Sequence, residues 1–143
     1  MVEVELARLL ISQLRPDQMI VLKEKAGPRS FPIYIGAAEA WAIDRGLRGE
    51  ELLRPFTHDL LASVIVSLGG QLERVVVCDL RQDIYYAKLV ICRDGRTVEV
   101  DARPSDAIAL AALVHAPIFV EEHVLEAVAG DGDDDLEEDE PDT

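Results

Sequence analysis

The feature that most constrains the fold is a predicted meander of three β-strands. The strands are expected over Leu72–Leu80, Ile84–Arg93 and Thr97–Ala102, which are rich in β-branched and other apolar residues. Between the last two lies Asp94-Gly95, a dipeptide that tolerates positive φ at both positions and is typical of a two-residue hairpin turn. Strands joined by such short turns pair antiparallel, so the sheet is predicted to be mostly antiparallel.

The turns also predict which residues of the meander face each other. The hairpin places Lys88 opposite Asp101, and a second two-residue turn at Gln82-Asp83 would place Cys78 opposite Ala87. One face of the meander is then apolar and consists of Val76, Cys78, Leu80, Ala87, Leu89, Ile91, Val98 and Val100. The other face carries Asp79, Tyr86, Lys88, Glu99, Asp101 and Arg103, with Tyr86 flanked by Asp79 and Arg103. A slip of one residue would scramble both faces.

The remaining elements give the order of an α+β protein. Strands are predicted over Val2–Ile11, Met19–Leu22, Phe31–Ile35 and Pro117–Val120, turns at Arg15-Pro16-Asp17 and Gly27-Pro28, and helices over Ala37–Leu47, Thr57–Leu68, Pro104–Val114 and Glu121–Val128. Because strands and helices do not alternate regularly, we expect an α+β fold with a mostly antiparallel sheet and three to four helices in a single domain. Trp41 could stack on bases, but its alanine-rich setting favours a place in the core. Thr57 is expected to cap its helix.

Charge divides the chain near residue 130. The formal net charge is −14, and residues 131–143 contain nine acids and no base, which leaves −5 for residues 1–130. We therefore predict a folded domain over 1–130 and a disordered acidic tail over 131–143. The acidic balance argues against a broadly basic nucleic-acid binder. No apolar run reaches the roughly 18 residues of a membrane span. Cys78 and Cys92 are interpreted as reduced thiols of a cytoplasmic protein.

Polar residues gather where the meander meets the next helix. Asp101 and Asp106 could provide oxygen ligands for Mg²⁺ or Mn²⁺, and Arg103 could hold a phosphate. Ser105 lies at the helix N-terminus, where backbone N–H groups attract anions. In the alternative reading Asp106 only complements the helix dipole, and Asp101 only pairs with Lys88 or Arg103. Spacing alone favours this alternative.

Three further polar clusters are candidates. His58 lies beside both an acid and a base in the run from Arg54 to Asp59, so it could act as a general base or as a metal ligand. Thr57 and Asp59 in the same run also suit plain helix capping. The other clusters are Glu39 with Asp44, and Lys88 with Tyr86 and Asp79.

These stretches resemble the bifunctional nuclease domain family. The resemblance lies in FPIYIG (31–36) followed by Glu39-Ala40, RPFTHDL (54–60), YAKL (86–89) and DARPSDAIALA (101–111), in that order. It spans Val2–Val128. The resemblance implies an α+β domain that forms a homodimer and acts on DNA and RNA in a large groove.

The resemblance and the residue chemistry together predict metal-assisted hydrolysis of phosphodiester bonds. The catalytic candidates are His58, Asp59, Asp101, Arg103 and Asp106. The phosphate-binding candidates are Arg54, Lys88 and Ser105, with Glu39 as a further site residue. A divalent ion, Mg²⁺ or Mn²⁺, would be held by Asp101 and Asp106. The competing hypothesis is a non-catalytic regulatory or protein-binding module whose motif residues are structural.

Overall fold

In a computed structural model, the chain is described at residues 1–12, 14 and 17–131, which form an eight-stranded sheet and four helices. In chain order the elements are β1 (Val2–Leu10), β2 (Asp17–Glu24), β3 (Arg29–Gly36), α1 (Ala37–Arg48), α2 (Thr57–Ser67), β4 (Gly70–Arg81), β5 (Ile84–Arg93), β6 (Arg96–Ala102), α3 (Pro104–Val114), β7 (Ile118–Val120), α4 (Glu122–Val128) and β8 (Gly130–Asp131). The strand order is β6-β5-β4-β7-β1-β2-β3-β8, and only the β4–β7 pair among these is parallel. This confirms the predicted α+β class.

The hairpin between β5 and β6 has the predicted register. Lys88 lies opposite Asp101, and the turn residues Asp94 and Gly95 have φ of 52° and 75°. Strand β6 is an edge of the sheet, so Val98 and Val100 remain 44% and 42% exposed although the prediction placed them on the apolar face.

The predicted register between β4 and β5 is wrong beyond the turn. Gln82 and Asp83 form the expected two-residue turn with positive φ, but a bulge at Cys78 places Val77 opposite Ala87. A bulge adds one residue to one strand, so the residues of that strand beyond the bulge point to the opposite face of the sheet from the one predicted. Val75 and Val77 therefore join the main core in place of Val76 and Cys78. The run of three valines from Val75 to Val77 provides apolar residues in either register, so the sequence pattern could not reveal the shift.

Helices α1 and α2 both pack against α3. Helix α3 contacts α1, α2, β4 and β5, and its residues from Ala107 to Ala111 are buried, as its apolar sequence predicts. Pro104 occupies the first turn of α3, where its fixed φ suits the helix and its missing N–H costs nothing. Helix α3 thus fixes where the first turns of α1 and α2 lie relative to its own.

Three local predictions need correction. Trp41 is 54% exposed rather than in the core. Thr57 is the first residue of α2 rather than its cap, because the Phe56 N–H at the N-cap position donates to Asp59 Oδ2 at 2.9 Å. Asp131, the first residue of the predicted tail, pairs with Arg29 of β3 and forms strand β8 together with Gly130. The rest of the predicted tail and residues 15 and 16 of the predicted first turn lie outside the described residues.

Within the described ranges, none of the helices is long and apolar enough to cross a membrane. Cys78 and Cys92 are both free thiols. Burial raises the pKa of the Cys78 thiol, whose Sγ donates to the Tyr86 carbonyl at 3.6 Å.

Candidate functional site

Four charged or titratable side chains from three helices meet at the start of α3, and we call them the polar cluster. Glu39 lies in the first turn of α1, His58 in the first turn of α2, Arg103 at the N-cap position of α3 and Asp106 in its first turn. Pro104 restricts the residue before it to extended backbone, so Arg103 has φ −70° and ψ 146° and the helix begins after it.

Hydrogen bonds connect all four members of the polar cluster. Arg103 Nε donates to Asp106 Oδ2 at 2.9 Å, and its Nη2 donates to Asp106 Oδ1 at 3.3 Å. Arg103 Nη1 donates to Glu39 Oε2 at 3.1 Å. His58 Nε2 is 3.1 Å from Asp106 Oδ1. Asp106 therefore stands between a guanidinium and an imidazole.

The pKa of Asp106 determines which groups of the polar cluster donate hydrogen bonds and which accept them. Burial pushes the pKa of Asp106 upward, but the hydrogen bonds from Arg103 and His58 outweigh it and leave the pKa below its usual value. The carboxylate is thus ionised near neutral pH and can only accept hydrogen bonds. Because the ionised carboxylate only accepts, His58 Nε2 is the donor in its bond to Asp106, and Nδ1 is the ring nitrogen outside that bond.

The polar cluster lies where two clefts adjoin. The first, of about 430 Å³, is lined by His58, Arg103 and Asp106 together with Trp41 and Phe56. The second, of about 360 Å³, is lined mainly by residues from β3, the β4–β5 turn and the start of α3, including Tyr34, Tyr85 and Ser105. Glu39 and Arg103 line both. An extended ligand bound at Arg103 could therefore occupy both clefts, one on each side of this side chain.

Arg45 supports the first cleft from inside the protein. Its side chain is 4% exposed, and its Nη2 donates to Asp59 Oδ2 at 2.8 Å. Its guanidinium carbon lies 5.1 Å from the Phe56 ring centre and 5.9 Å from that of Trp41. Sequence reasoning missed Arg45, since a charge in the last turn of a helix is usually solvated. The signal available was its spacing of four residues from Trp41, which puts both on one helix face.

Several predicted site residues lie away from the polar cluster. Asp101 is exposed on β6 and lines neither cleft, and Lys88 Nζ contacts Glu99 Oε2 at 3.1 Å instead of Asp101. Asp59 is paired with Arg45. Arg54 is exposed in the connection before α2 and also lines neither cleft.

The two other predicted polar groupings are divided in the structure. Asp44 pairs with Arg48 at 2.9 Å, so it does not join Glu39. Tyr86 lies opposite Asp79, as predicted, but the expected contact with Arg103 is replaced by Arg81, whose guanidinium carbon lies 4.8 Å from the Tyr86 ring centre. Arg103 is instead drawn to Asp106 and Glu39, because the chain leaves the sheet after Ala102 to begin α3.

The carboxylates of the polar cluster fit cationic side chains better than a divalent ion. Each Asp106 oxygen already accepts a hydrogen bond from Arg103 or lies within hydrogen-bonding distance of His58. In the described part of the chain, no three His, Cys, Asp or Glu side chains come together as metal ligands. The donor set therefore suits proton transfer and anion binding, and the Mg²⁺ or Mn²⁺ site at Asp101 and Asp106 stays a prediction.

Comparison with known proteins places these residues in a recognised family region. A family model described as the bifunctional nuclease domain matches residues 20–131, which include the whole polar cluster. An uncharacterised protein of Mycobacterium tuberculosis strain H37Rv is 41% identical over 123 residues, covering 86% of this chain and 73% of its own length. Bifunctional nuclease 1 of Oryza sativa subsp. japonica is 26% identical over 113 residues. The matched region is 76% of this chain but only 34% of the rice protein. Bifunctional nuclease 2 of the same plant is also 26% identical, over 114 residues, which are 77% of this chain and 35% of its own length.

Proposed function

The chain belongs to the bifunctional nuclease domain family, and from this premise we propose that it hydrolyses phosphodiester bonds of DNA and RNA at the polar cluster. The observation that carries the proposal is the meeting of Arg103 with the His58–Asp106 pair at a cleft. Phosphodiester hydrolysis needs a cation for the charge that develops on phosphorus and a base for the nucleophile. The polar cluster contains both.

Arg103 is the proposed phosphate ligand. Its side chain is 63% exposed and is held in place by Asp106 and Glu39, so the guanidinium is positioned without being buried. The hydrogen bonds to these carboxylates leave further N–H donors of the guanidinium for phosphate oxygens. Nucleotides on either side of the bound phosphate would occupy the two clefts that Arg103 lines.

His58 is the proposed general base. Its side chain is 17% exposed at the cleft, and Asp106 holds the imidazole through Nε2. Nδ1 would accept a proton from water as the water oxygen attacks phosphorus and the P–O bond to the leaving nucleotide oxygen breaks, and the Asp106 carboxylate would stabilise the imidazolium that forms. The leaving oxygen would take a proton from solvent, and the imidazolium would release its proton to solvent. DNA has no 2′-hydroxyl, so a single mechanism for both nucleic acids cannot use that group as the nucleophile, and water takes this place in the proposal. RNA products should therefore lack 2′,3′-cyclic phosphates.

The matching experiment compares two histidines of the same chain. His123 Nε2 lies 3.4 Å from Asp79 Oδ1, and Arg81 Nε donates to Asp79 Oδ2 at 2.7 Å, which repeats the His–Asp–Arg grouping with residues that line neither cleft. We expect His58→Gln to lower kcat/KM by about 10²–10⁴-fold on single-stranded DNA and RNA. His123→Gln should leave the rate unchanged. An equal rate for wild type and His58→Gln would contradict the assignment.

The predicted divalent ion is tested separately. The steps above involve only side chains of the protein, because the carboxylates of the polar cluster are occupied by Arg103 and His58. Cleavage is measured in EDTA and with added Mn²⁺, for wild type and for Asp101→Asn. Activity that is abolished by EDTA, restored by Mn²⁺ and reduced in Asp101→Asn would return the metal to the mechanism.

A second candidate function is a non-catalytic regulatory or protein-binding module. The observation that favours it is that the polar cluster joins α1, α2 and α3, so the same contacts could serve only to fix the helices. Under this reading Arg103→Ala and Asp106→Asn lower the free energy of unfolding, and the wild-type protein cleaves no nucleic acid. Cleavage by the wild type that is lost in variants that remain folded supports the nuclease.

We also infer a homodimer that forms through α2, and a cytoplasmic location. Leu60, Val64 and Leu68 recur once per turn and are 55%, 43% and 63% exposed, which gives this helix an apolar stripe that faces outward. The family resemblance implied a dimer, and such a stripe suits a self-complementary interface. The cytoplasmic location is supported by the two free thiols.

A further inference from the structure

Two large aromatic rings form an exposed wall of the first cleft. Trp41 and Phe56 are 54% and 44% exposed, and their ring centres are 5.6 Å apart with 33° between the ring planes. They come from different parts of the chain, α1 and the residue before α2, yet they line the same cleft as His58 and Arg103. An exposed aromatic pair at a cleft is suited to contact with a ligand.

The rings are held in place although they are not buried. Arg45 lies within 6 Å of both ring centres, is 4% exposed, and is fixed in turn by Asp59. Contact of a guanidinium with aromatic rings is favourable. Contacts of the rings with each other and with Arg45 restrict their rotamers before a ligand binds, which reduces the entropy lost on binding.

We propose that Trp41 and Phe56 stack against bases of a single-stranded nucleic acid whose phosphate lies at Arg103. This inference rests on the proposed function and names its substrate class. Bases in a duplex are stacked on their neighbours and offer no free face, whereas unpaired bases can stack on aromatic side chains. A cleft of about 430 Å³ falls in the range of sites that enclose small organic groups.

The acidic balance of the protein gives such stacking a part in affinity. Residues 1–130 have a net charge of −5, so the attraction between phosphates and basic side chains that dominates most nucleic-acid binding is weak here. Within the polar cluster, Glu39 and Asp106 also offset the charge of Arg103. Stacking on aromatic rings depends little on net charge and can provide the missing affinity.

Trp41 is the only tryptophan of the chain, so its fluorescence reports on the proposed site directly. In the His58→Gln background, which avoids cleavage, the protein is titrated with a short single-stranded thymidine oligonucleotide. An abasic strand of the same length and a duplex are titrated in parallel. We expect the thymidine strand to quench Trp41. The abasic strand has the same phosphates without bases and should not.

Affinity is measured with labelled oligonucleotides by fluorescence anisotropy. Trp41→Ala and Phe56→Ala should each raise the Kd for the thymidine strand about tenfold, which corresponds to about 1.4 kcal/mol. Trp41→Phe should retain most of the affinity. The matched control is Leu47→Ala, since Leu47 is also on α1 and 54% exposed but lines a different cleft.

The outcomes separate this inference from the proposed function. Equal Kd for the abasic and thymidine strands, or binding without a change in Trp41 fluorescence, overturns stacking even if the wild-type protein cleaves nucleic acids. Quenching by the thymidine strand alone, with no cleavage by the wild type, supports stacking and removes the nuclease. A Kd for duplex equal to that for the single strand also overturns the inference.

Discussion

For the buried ion pair between Arg45 and Asp59, we predict that removing the acid lowers the free energy of unfolding more than removing the base. Arg45 is 4% exposed, and Asp59, its ion-pair partner, is 22% exposed. Removing Asp59 leaves a buried guanidinium without a counter-charge, which costs about 3 kcal/mol at the lower end of the range for broken buried pairs. Asp59 also accepts the Phe56 N–H at the start of α2, and losing that bond costs about 1 kcal/mol.

Asp59→Ala should therefore lower the free energy of unfolding by about 4 kcal/mol, which corresponds to roughly 15 °C in Tm for a domain of this size. Arg45→Met should cost only about 1–2 kcal/mol. The methionine fills much of the same space, and the carboxylate left behind can reach water. In the Arg45→Met background, Asp59→Ala should cost only the helix-start bond, about 1 kcal/mol.

Equilibrium unfolding in urea of the wild type, both single variants and the double variant measures these four free energies. The expected coupling between the two positions is about 3 kcal/mol. Asp44→Ala is the matched control, because Asp44 pairs with the largely exposed Arg48 and should cost less than about 1 kcal/mol. An equal cost of Asp59→Ala in both backgrounds would refute the reasoning and return Asp59 to the catalytic candidates.

Three further predictions concern pH, assembly and the acidic tail. Because the pKa of Asp106 is lower in the folded protein, its contribution to stability is present above its unfolded pKa of about 3.9 and is lost as pH falls through the folded value. Asp106→Asn should flatten the decline of stability in acid, and an unchanged acid limb in thermal scans would contradict this. Val64→Lys should convert the proposed dimer to a monomer in light scattering, whereas Val66→Lys, at a 69% exposed position off the stripe, should not. Removal of residues 132–143, which contain eight acids, should tighten oligonucleotide binding at low salt and have little effect at high salt, where charges are screened. Equal affinity at low salt would reduce the tail to a device for solubility.

The parts of the fold that were predicted correctly depend on local sequence patterns that fit only one structure. Asp94-Gly95 determined the β5–β6 register, and the apolar run after Pro104 predicted the buried helix α3. The predicted β4–β5 register was wrong because Val75–Val77 are apolar in either register. The bulge at Cys78 therefore leaves no trace in the pattern of apolar and polar residues. Strand β8 was missed since two residues carry too little pattern to predict a strand.

The candidate site was only partly predictable. His58, Arg103, Asp106 and Glu39 were all named from the sequence, but their grouping was not, because it depends on how α1 and α2 pack against α3. The register correctly placed Lys88 opposite Asp101, yet pairing of backbones does not fix where long side chains go, and Lys88 contacts Glu99.

The wrong prediction for Trp41 has the widest consequence for function. A lone tryptophan in an alanine-rich helix is normally a core residue, and this chain builds its core without it. Arg45 is instead buried within 6 Å of the Trp41 and Phe56 ring centres, although burying a guanidinium is costly. An exposed tryptophan beside a buried arginine is a conflict between residue preference and structure, and such conflicts are expected at functional sites. The ring lies at the cleft that also contains His58 and Arg103, so ligand binding is the contribution that accounts for both its exposure and its position.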